Sequence, residues 1–382
     1  MEVGASMQAR RPTSFNVQNV ADPYALRQLL AHRLKREKTL RDASVERALR
    51  AIPRELFAAG VTLEAAYENH VIRIKELHGE VISTLSQPAM IVEMLQQLRV
   101  RPGDRILEIG TGSGYTSALL AALAGPGGSV TTIDLEADLV AAARVRFEQL
   151  GLQRIRAHVG DGAAGAPGGA PFDRMLLTAS AADIERTWWD QLSPAGRIVL
   201  PLSINGVQKN TAFAAAGGLL HSDSIIDCAF VPMRAPGEGA PATDPERMLK
   251  KALSQPARYP VREAFSERDL YRGAMLWCAL SDPRFCLLRR PEDDGPLAGL
   301  CAGETLVLVQ WHHGNAYVVR YGPDEQLAQD LLALILAWVE QDRPGKRALS
   351  ILAQRSDAPA RPVSDASFTL YRPATTFFIS LC

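Results

Sequence analysis

Cysteine is scarce in this sequence, and the cysteines that occur do not form a recognisable set. The chain has 382 residues and five cysteines, an odd number with no CxxC pair among them. This pattern argues against a disulfide framework and against a zinc ribbon. Two adjacent histidines, His312 and His313, have no further ligands at metal-binding spacing, so we expect no metal site.

The sequence also lacks an excess of charge and any long apolar run. Forty-two Lys and Arg residues offset 42 Asp and Glu residues, so no overall field would hold a nucleic-acid backbone or an anionic membrane. No run of about 18 apolar residues is present, as a membrane-spanning helix requires, and the first residues lack the apolar stretch of a secretory signal. We therefore expect a cytoplasmic protein with neither a nucleic-acid nor a membrane partner.

The length favours two domains of about 150 to 200 residues each. Residues 1–21 are polar and unpatterned, which predicts a flexible leader. Apolar spacings of three and four then predict helices, the first of them capped by Asp22. A Pro-, Gly- and Ala-rich segment predicts a linker between two units. The predicted parts are a helical region over 22–100 and a sheet over 101–232, the linker over 233–245, and a second unit over 246–382.

Strands and helices alternate between about Pro102 and Pro201. This alternation predicts an α/β fold with a doubly wound, nucleotide-binding (Rossmann-like) sheet. The unit after the linker has strand-like stretches and one amphipathic helix over 327–339, which predict an α+β fold. Five strands are expected in the first sheet, over 105–109, 129–134, 154–159, 172–178 and 196–200.

A glycine-rich loop follows the first of these strands. Residues 108–115 read Glu-Ile-Gly-Thr-Gly-Ser-Gly-Tyr, and glycines are needed where a turn is sharp and a ligand comes close to the backbone. A dinucleotide fingerprint would need a small residue where Tyr115 stands, so that reading fits poorly. Glu108 would repel a pyrophosphate but is suited to an ammonium or sulfonium group. ExGxGxG is typical of S-adenosylmethionine (AdoMet)-dependent methyltransferases, although a purely structural turn stays open. The candidate cofactor-binding residues here are Glu108, Gly110, Thr111, Gly112, Ser113 and Gly114.

Two further acidic residues stand at the ends of the next strands. Asp134 ends the second strand, where a carboxylate can accept hydrogen bonds from both ribose hydroxyls or cap the following helix. Asp161, followed by Gly162, comes after the third strand and suits a contact to an adenine amino group. Because ligands bind at the carboxyl edge of such sheets, we expect these residues to line one cofactor site.

The segment before the sheet carries the candidate active-site residue. Ser86 precedes Gln87-Pro88 and an amphipathic helix, and an isolated serine there would serve as its cap. Together with other motifs, however, this segment resembles the protein-L-isoaspartate O-methyltransferase family over about Asp22 to Pro232. The motifs, in family order, are Pro53-Arg54-Glu55-Leu56-Phe57, Ala66-Tyr67-Glu68-Asn69, Thr84-Leu85-Ser86-Gln87-Pro88, Leu107 to Tyr115, Gly160-Asp161-Gly162, Pro171-Phe172-Asp173-Arg174 and Phe230-Val231-Pro232.

The resemblance implies a class I AdoMet-dependent methyltransferase that esterifies a peptide carboxylate. It implies that 22–232 is the catalytic domain, with Ser86 at the position of the family's active-site serine and Thr84 and Leu85 beside the cofactor. A carboxylate with an ordinary pKa of about 3.9 is already ionised at pH 7, so no histidine or cysteine base is required. The product ester can close to a succinimide, which interconverts Asp and isoAsp.

Two departures bear on the substrate. Residues 71–82 replace the short glycine-rich approach usual in repair enzymes, and the C-terminal unit has no counterpart in minimal ones. Both features resemble variant methyltransferases of lanthipeptide-type gene clusters, which act on an Asp of a ribosomally made precursor peptide. On that hypothesis, which we favour slightly, Arg73 and Lys75 help to recognise an acidic peptide. General isoaspartate repair is the alternative, and a noncatalytic AdoMet- or nucleoside-binding protein is the alternative of another class.

Overall fold

The computed structural model describes residues 22–235, 256–289, 296–345, 349–359 and 366–381. The predicted leader and residues 236–245 of the predicted linker lie outside the described residues. Within the described part of the chain, no helix has both the length and the apolar composition to cross a membrane.

Helices and one hairpin form the N-terminal region. Asp22 caps the first helix, as predicted, by accepting hydrogen bonds from the amides of Tyr24 and Ala25. The buried faces of these elements share a core with the helices of the sheet that follows. The elements are α1 (Pro23–Arg36), α2 (Ala43–Ala51), a 3₁₀ turn (Arg54–Phe57), α3 (Leu63–Ala66), β1 (Ile72–Leu77), β2 (Glu80–Leu85) and α4 (Pro88–Leu98).

A parallel sheet occupies the middle of the chain, which confirms the predicted α/β doubly wound fold. Five strands run parallel in the order β7-β6-β3-β4-β5, and β8 and β9 extend the sheet with antiparallel pairing. β7, the last of these five strands along the chain, is much longer than the strand predicted over 196–200. The elements are β3 (Arg105–Ile109), α5 (Tyr115–Ala124), β4 (Ser129–Asp134), α6 (Ala137–Gln149), β5 (Ile155–Val159), β6 (Phe172–Leu177), α7 (Arg186–Gln191), β7 (Leu192–Ile204), β8 (Val207–Ala216) and β9 (Leu219–Asp227).

The C-terminal residues combine helices with an antiparallel sheet. Five of their strands form this second sheet in the order β10-β14-β13-β12-β11, and α9 packs on it through residues such as Leu331 and Ile335. The elements are β10 (Ala257–Pro260), a short helical stretch (Glu267–Asp269 and Leu270–Ala274) leading into α8 (Met275–Ser281), β11 (Phe285–Arg289), β12 (Pro296–Ala302), β13 (Thr305–His312), β14 (Asn315–Tyr321), α9 (Gln326–Glu340), β15 (Ser350–Arg355), β16 (Phe368–Tyr371) and β17 (Thr375–Ser380).

The last three strands join the first sheet rather than the second. β15 pairs antiparallel with β9, with His221 opposite Leu352, and the complete sheet has ten strands in the order β16-β17-β15-β9-β8-β7-β6-β3-β4-β5. One apolar cluster accordingly contains both Leu107 of β3 and Ile379 of β17. The domain boundaries stay a prediction, but the part of the chain beyond the predicted linker completes the sheet that begins before it.

Candidate active site

A cleft of about 800 Å³ opens at the carboxyl edge of the parallel strands. The chain leaves β3 through the glycine loop, β4 through Asp134 and Leu135, and β6 through Thr178; residues 109–113 of the loop, Asp134, Leu135 and Thr178 line the cleft. The carboxyl edge of a doubly wound sheet is the place where such folds bind ligands. Ser86, Thr84 and Leu85, from the junction of β2 and α4, form the facing wall.

The glycine loop is shaped for close approach of a ligand. Gly110 has φ +99°, and a Cβ there would overlap the hydroxyl of Thr178. That hydroxyl donates to the Gly110 carbonyl at 2.6 Å. The loop can approach the end of β6 this closely only because residue 110 is a glycine without a side chain. Thr111, Gly112 and Ser113 continue the cleft wall.

Asp134 connects this loop to the end of β4. Its Oδ2 accepts from the Gly112 amide at 2.8 Å, and its Oδ1 accepts from the Glu136 amide at 3.0 Å. Burial raises the pKa of the Asp134 carboxyl above its ordinary value, against the lowering effect of these two backbone hydrogen bonds. Asp134 therefore forms a turn before α6, whose capping position is Glu136, and its carboxylate lines the cleft.

Ser86 lies in the cleft wall but does not cap α4, so its predicted capping role is wrong. The capping position is Gln87, which makes no capping hydrogen bond. Asn69 supplies the cap instead, because its Oδ1 accepts from the Ala89 amide at 3.0 Å while its carbonyl accepts from the Gln87 side chain at 3.0 Å. The Ser86 hydroxyl is thus not used by the helix terminus.

Three predicted cofactor residues do not line the cleft. Glu108 is fully buried, and one of its oxygens accepts from the hydroxyls of Ser117 and of Thr132, the latter at 2.7 Å. Its other oxygen has no hydrogen-bond partner among the described residues, and burial raises the pKa of Glu108 to about 7.

The other two residues outside the cleft wall have local structural contacts. Gly114 faces α6, where a Cβ would come within 2.8 Å of the Phe147 ring. Asp161 accepts from the Ala163 amide at 2.9 Å in the turn after β5, while its neighbour Gly162 does reach the cleft.

Residues 231–234 form a second wall of the cleft, which the sequence did not predict. The Ser180 amide donates to the Val231 carbonyl at 2.9 Å, and the Met233 amide donates back to Ser180 at 2.8 Å. Met233 and Arg234 therefore line the cleft, although they were assigned to the linker. The Phe-Val-Pro motif just before them marks this wall, but the Pro- and Gly-rich residues that follow masked its extent.

A set of ion pairs, here called the Glu136 clasp, connects the hairpin to this second wall. Glu136 accepts from Lys75 of β1 at 2.6 Å and also from Arg234. Lys75 is paired with Asp138 as well, at 2.6 Å, and these contacts lower the pKa of Glu136 and raise that of Lys75. The ammonium of Lys75, which we predicted to recognise a peptide, is therefore already engaged with two carboxylates.

The sheet, the glycine loop and Asp134 together define a class I AdoMet-dependent methyltransferase. Residues 25–236 match the model of the family described as protein-L-isoaspartate(D-aspartate) O-methyltransferase (PCMT). Since this match covers more than half of the chain, the protein belongs to that family.

Individual relatives agree with the family match. The chain is 39% identical over 201 residues to a protein-L-isoaspartate O-methyltransferase of Azorhizobium caulinodans, covering 52% of this chain and 89% of the relative. It is 36% identical over 216 residues to one from Hyperthermus butylicus, covering 54% and 88%. A solved protein-L-isoaspartate O-methyltransferase aligns with a TM-score of 0.54 and 24% identity over 85% of this chain and 96% of that chain, which supports the fold.

These findings confirm the predicted family, the carboxyl methyltransferase class and AdoMet as the cofactor. The alternative of a noncatalytic nucleoside-binding protein is set aside. The family match ends near Arg234, so it says nothing about what the C-terminal residues do.

Proposed function

We propose that this enzyme methylates the carboxylate of an aspartyl or isoaspartyl residue in a peptide, with Ser86 orienting that carboxylate. The position of Ser86 supports this role. Ser86 lines the same cleft as the glycine loop and Asp134, and its hydroxyl does not cap α4.

The residues of the cleft suit the cofactor. The glycine loop offers backbone without side chains, Asp134 offers carboxylate oxygens to ribose hydroxyls, and Gly162 lines the same cleft. When bound, AdoMet supplies an electrophilic methyl group, and its sulfur keeps the electron pair of the broken carbon–sulfur bond.

The cleft needs no proton-transfer residue for this reaction. Among the described residues, neither histidine nor cysteine lines it, and a peptide carboxylate is ionised at neutral pH. The contribution of the protein is then to hold the carboxylate in line and to exclude water. A hydrogen bond donated by Ser86 to the oxygen that does not attack would fix that orientation.

Two peptide substrates are compatible with this chemistry. Family membership supports repair, in which an isoaspartyl carboxylate is esterified and the ester closes to a succinimide. The precursor-peptide hypothesis rests on the two departures seen in the sequence, which correspond here to the β1–β2 hairpin and to the C-terminal strands that extend the sheet. We retain a slight preference for the precursor peptide, in which the target is a genetically encoded Asp.

Incubation with methyl-labelled AdoMet separates these possibilities. Base-labile methyl on an isoAsp peptide supports repair. Methyl on an unmodified Asp peptide, or loss of one water from it, supports a biosynthetic substrate. Absence of label from both peptides would contradict the proposed function.

The role of Ser86 is tested by Ser86→Ala. Turnover should fall by about 100-fold, as expected when a reacting group is no longer held in alignment, while affinity for S-adenosylhomocysteine persists in calorimetry. Ser129→Ala is a matched control, because Ser129 is an exposed serine at the opposite end of β4. Equal losses of turnover and of cofactor affinity in Ser86→Ala would reduce Ser86 to a structural residue.

A further inference from the structure

A buried arginine contacts the backbone of the candidate active-site serine. Arg54, from the Pro-Arg-Glu-Leu-Phe motif, is fully buried. Its Nε donates to the Ala66 carbonyl at 2.8 Å, and its Nη2 donates to the Ser86 carbonyl at 2.9 Å. Its guanidinium carbon lies 5.0 Å from the centre of the Tyr115 ring, and both Ser86 and Tyr115 line the cleft.

The charge of Arg54 is not balanced by a carboxylate. In the described ranges, no Asp or Glu lies within ion-pair distance of it, and its Nη1 is buried without a hydrogen-bond partner. The adjacent Glu55 is engaged elsewhere, by Arg27 at 3.4 Å and by the hydroxyl of Tyr67. Burial lowers the pKa of Arg54, but a guanidinium keeps its charge at neutral pH.

An unbalanced buried cation is costly unless something compensates it. The carbonyl oxygens of Ala66 and Ser86 and the face of Tyr115 do so only in part, because they are dipoles and a quadrupole rather than opposite charges. A charge in such a place is weakly screened. Arg54 should therefore contribute a positive potential at the Ser86 side of the cleft, which favours an anion there.

We propose that Arg54 is a positioning residue, which holds the Ser86 backbone and whose charge makes the cleft select a peptide group that carries a carboxylate. This inference rests on the proposed function and adds the element that distinguishes a carboxylate from a neutral side chain. The alternative is a purely structural arginine that ties residue 66 to residue 86, and that role depends on its hydrogen bonds and not on its charge.

Two variants separate charge from hydrogen bonding. Arg54→Met removes both at similar side-chain length, whereas Arg54→Lys keeps the charge but loses the fork that reaches two carbonyls. Each is compared with the wild type for binding of an isoAsp peptide and of the same peptide with a carboxamide in place of the carboxylate. Binding is measured by calorimetry on enzyme saturated with S-adenosylhomocysteine, so the comparison does not require turnover. Melting curves and cofactor affinity verify that each variant is folded.

The wild type should bind the carboxylate peptide more tightly than the carboxamide peptide. Arg54→Met should weaken carboxylate binding by about tenfold, as expected for losing a weakly screened attraction, and leave carboxamide binding within about twofold. Arg54→Lys should retain the preference for the carboxylate while kcat falls by about tenfold, because Ser86 is held less firmly.

Equal weakening of both peptides by Arg54→Met would overturn the inference and leave a structural arginine. An unchanged kcat in Arg54→Lys would overturn the positioning role. If Arg54→Met does not fold, the kcat of Arg54→Lys alone tests the inference. If the wild type transfers no methyl but prefers the carboxylate peptide, and Arg54→Met loses that preference, the proposed function is contradicted and the role of Arg54 is supported. A wild type that binds neither these two peptides nor the corresponding unmodified Asp and Asn peptides would contradict both.

Discussion

Replacing Glu108 by glutamine should remove a pH-dependent loss of stability. Glu108 is fully buried between β3, β4 and α5, and its pKa is raised to about 7 in the folded protein from an ordinary 4.5. The folded state therefore binds a proton more tightly than the unfolded state. By linkage, stability is highest below about pH 4.5, falls as the pH rises toward 7, and levels off above that value.

The size of the effect follows from the two pKa values. The difference between about 7 and 4.5 corresponds to about 3 kcal/mol at 1.36 kcal/mol for each pH unit. A glutamine keeps the shape and an acceptor for the hydroxyls of Ser117 and Thr132 but cannot ionise. The free energy of unfolding of Glu108→Gln, relative to wild type, should thus rise by about 2 to 3 kcal/mol between pH 5 and pH 8.

Urea denaturation of both proteins at pH 5, 6, 7 and 8 tests this prediction, with tryptophan fluorescence as the signal. Comparing the two proteins at each pH cancels the titration of every other group. A constant difference across the pH range, or a glutamine variant that loses stability relative to wild type as the pH rises, would refute the assigned protonation of Glu108.

Three further substitutions test the cofactor site, the Glu136 clasp and the packing at Gly114. Asp134→Asn should weaken S-adenosylhomocysteine binding by about 10- to 100-fold in calorimetry, as expected for hydrogen bonds to a charged group; unchanged affinity would remove Asp134 from the cofactor site. Glu136→Gln should open the clasp and raise the dissociation rate of the cofactor a few-fold, because its ion pairs are only partly buried and are therefore weak, whereas Asp138→Asn should not. Stopped-flow measurements in which Asp138→Asn raises the dissociation rate of the cofactor more than Glu136→Gln does would contradict this prediction. Gly114→Ala should destabilise the protein by about 1 to 3 kcal/mol through overlap with Phe147, seen as a lower melting temperature; an unchanged value would contradict the packing.

The positions of Gly110 and Asp134 at the cleft can be inferred from the sequence because both depend on local features. A strand, a sharp turn and a helix follow each other along the chain, and the ends of parallel strands meet at one edge. The same reasoning fails for Glu108. Neighbouring side chains of a strand face opposite sides of the sheet. The sequence does not reveal whether the side chain of Glu108 is on the side that faces the ligand.

Contacts between distant residues could not be predicted. The cap that replaces Ser86 comes from Asn69, and the Ser86 carbonyl is held by Arg54; neither pairing follows from a local pattern. The pairing of β15 with β9 joins residues far apart in sequence, and strand propensity does not specify partners. The composition of residues 233–245 predicts a linker, but composition does not reveal that Met233 and Arg234 pack beside the cleft.

The attachment of β15 to β9 also determines how the sheet ends on that side. Without β15, β16 and β17, the backbone amides and carbonyls of residues 219–221 of β9 would lose their partners and form an open border, a template on which other chains can add and aggregate. During synthesis this border stays unpaired until the stretch that carries β15 to β17 leaves the ribosome. A premature stop in that stretch is therefore expected to yield insoluble protein even though every residue of the cleft is already present.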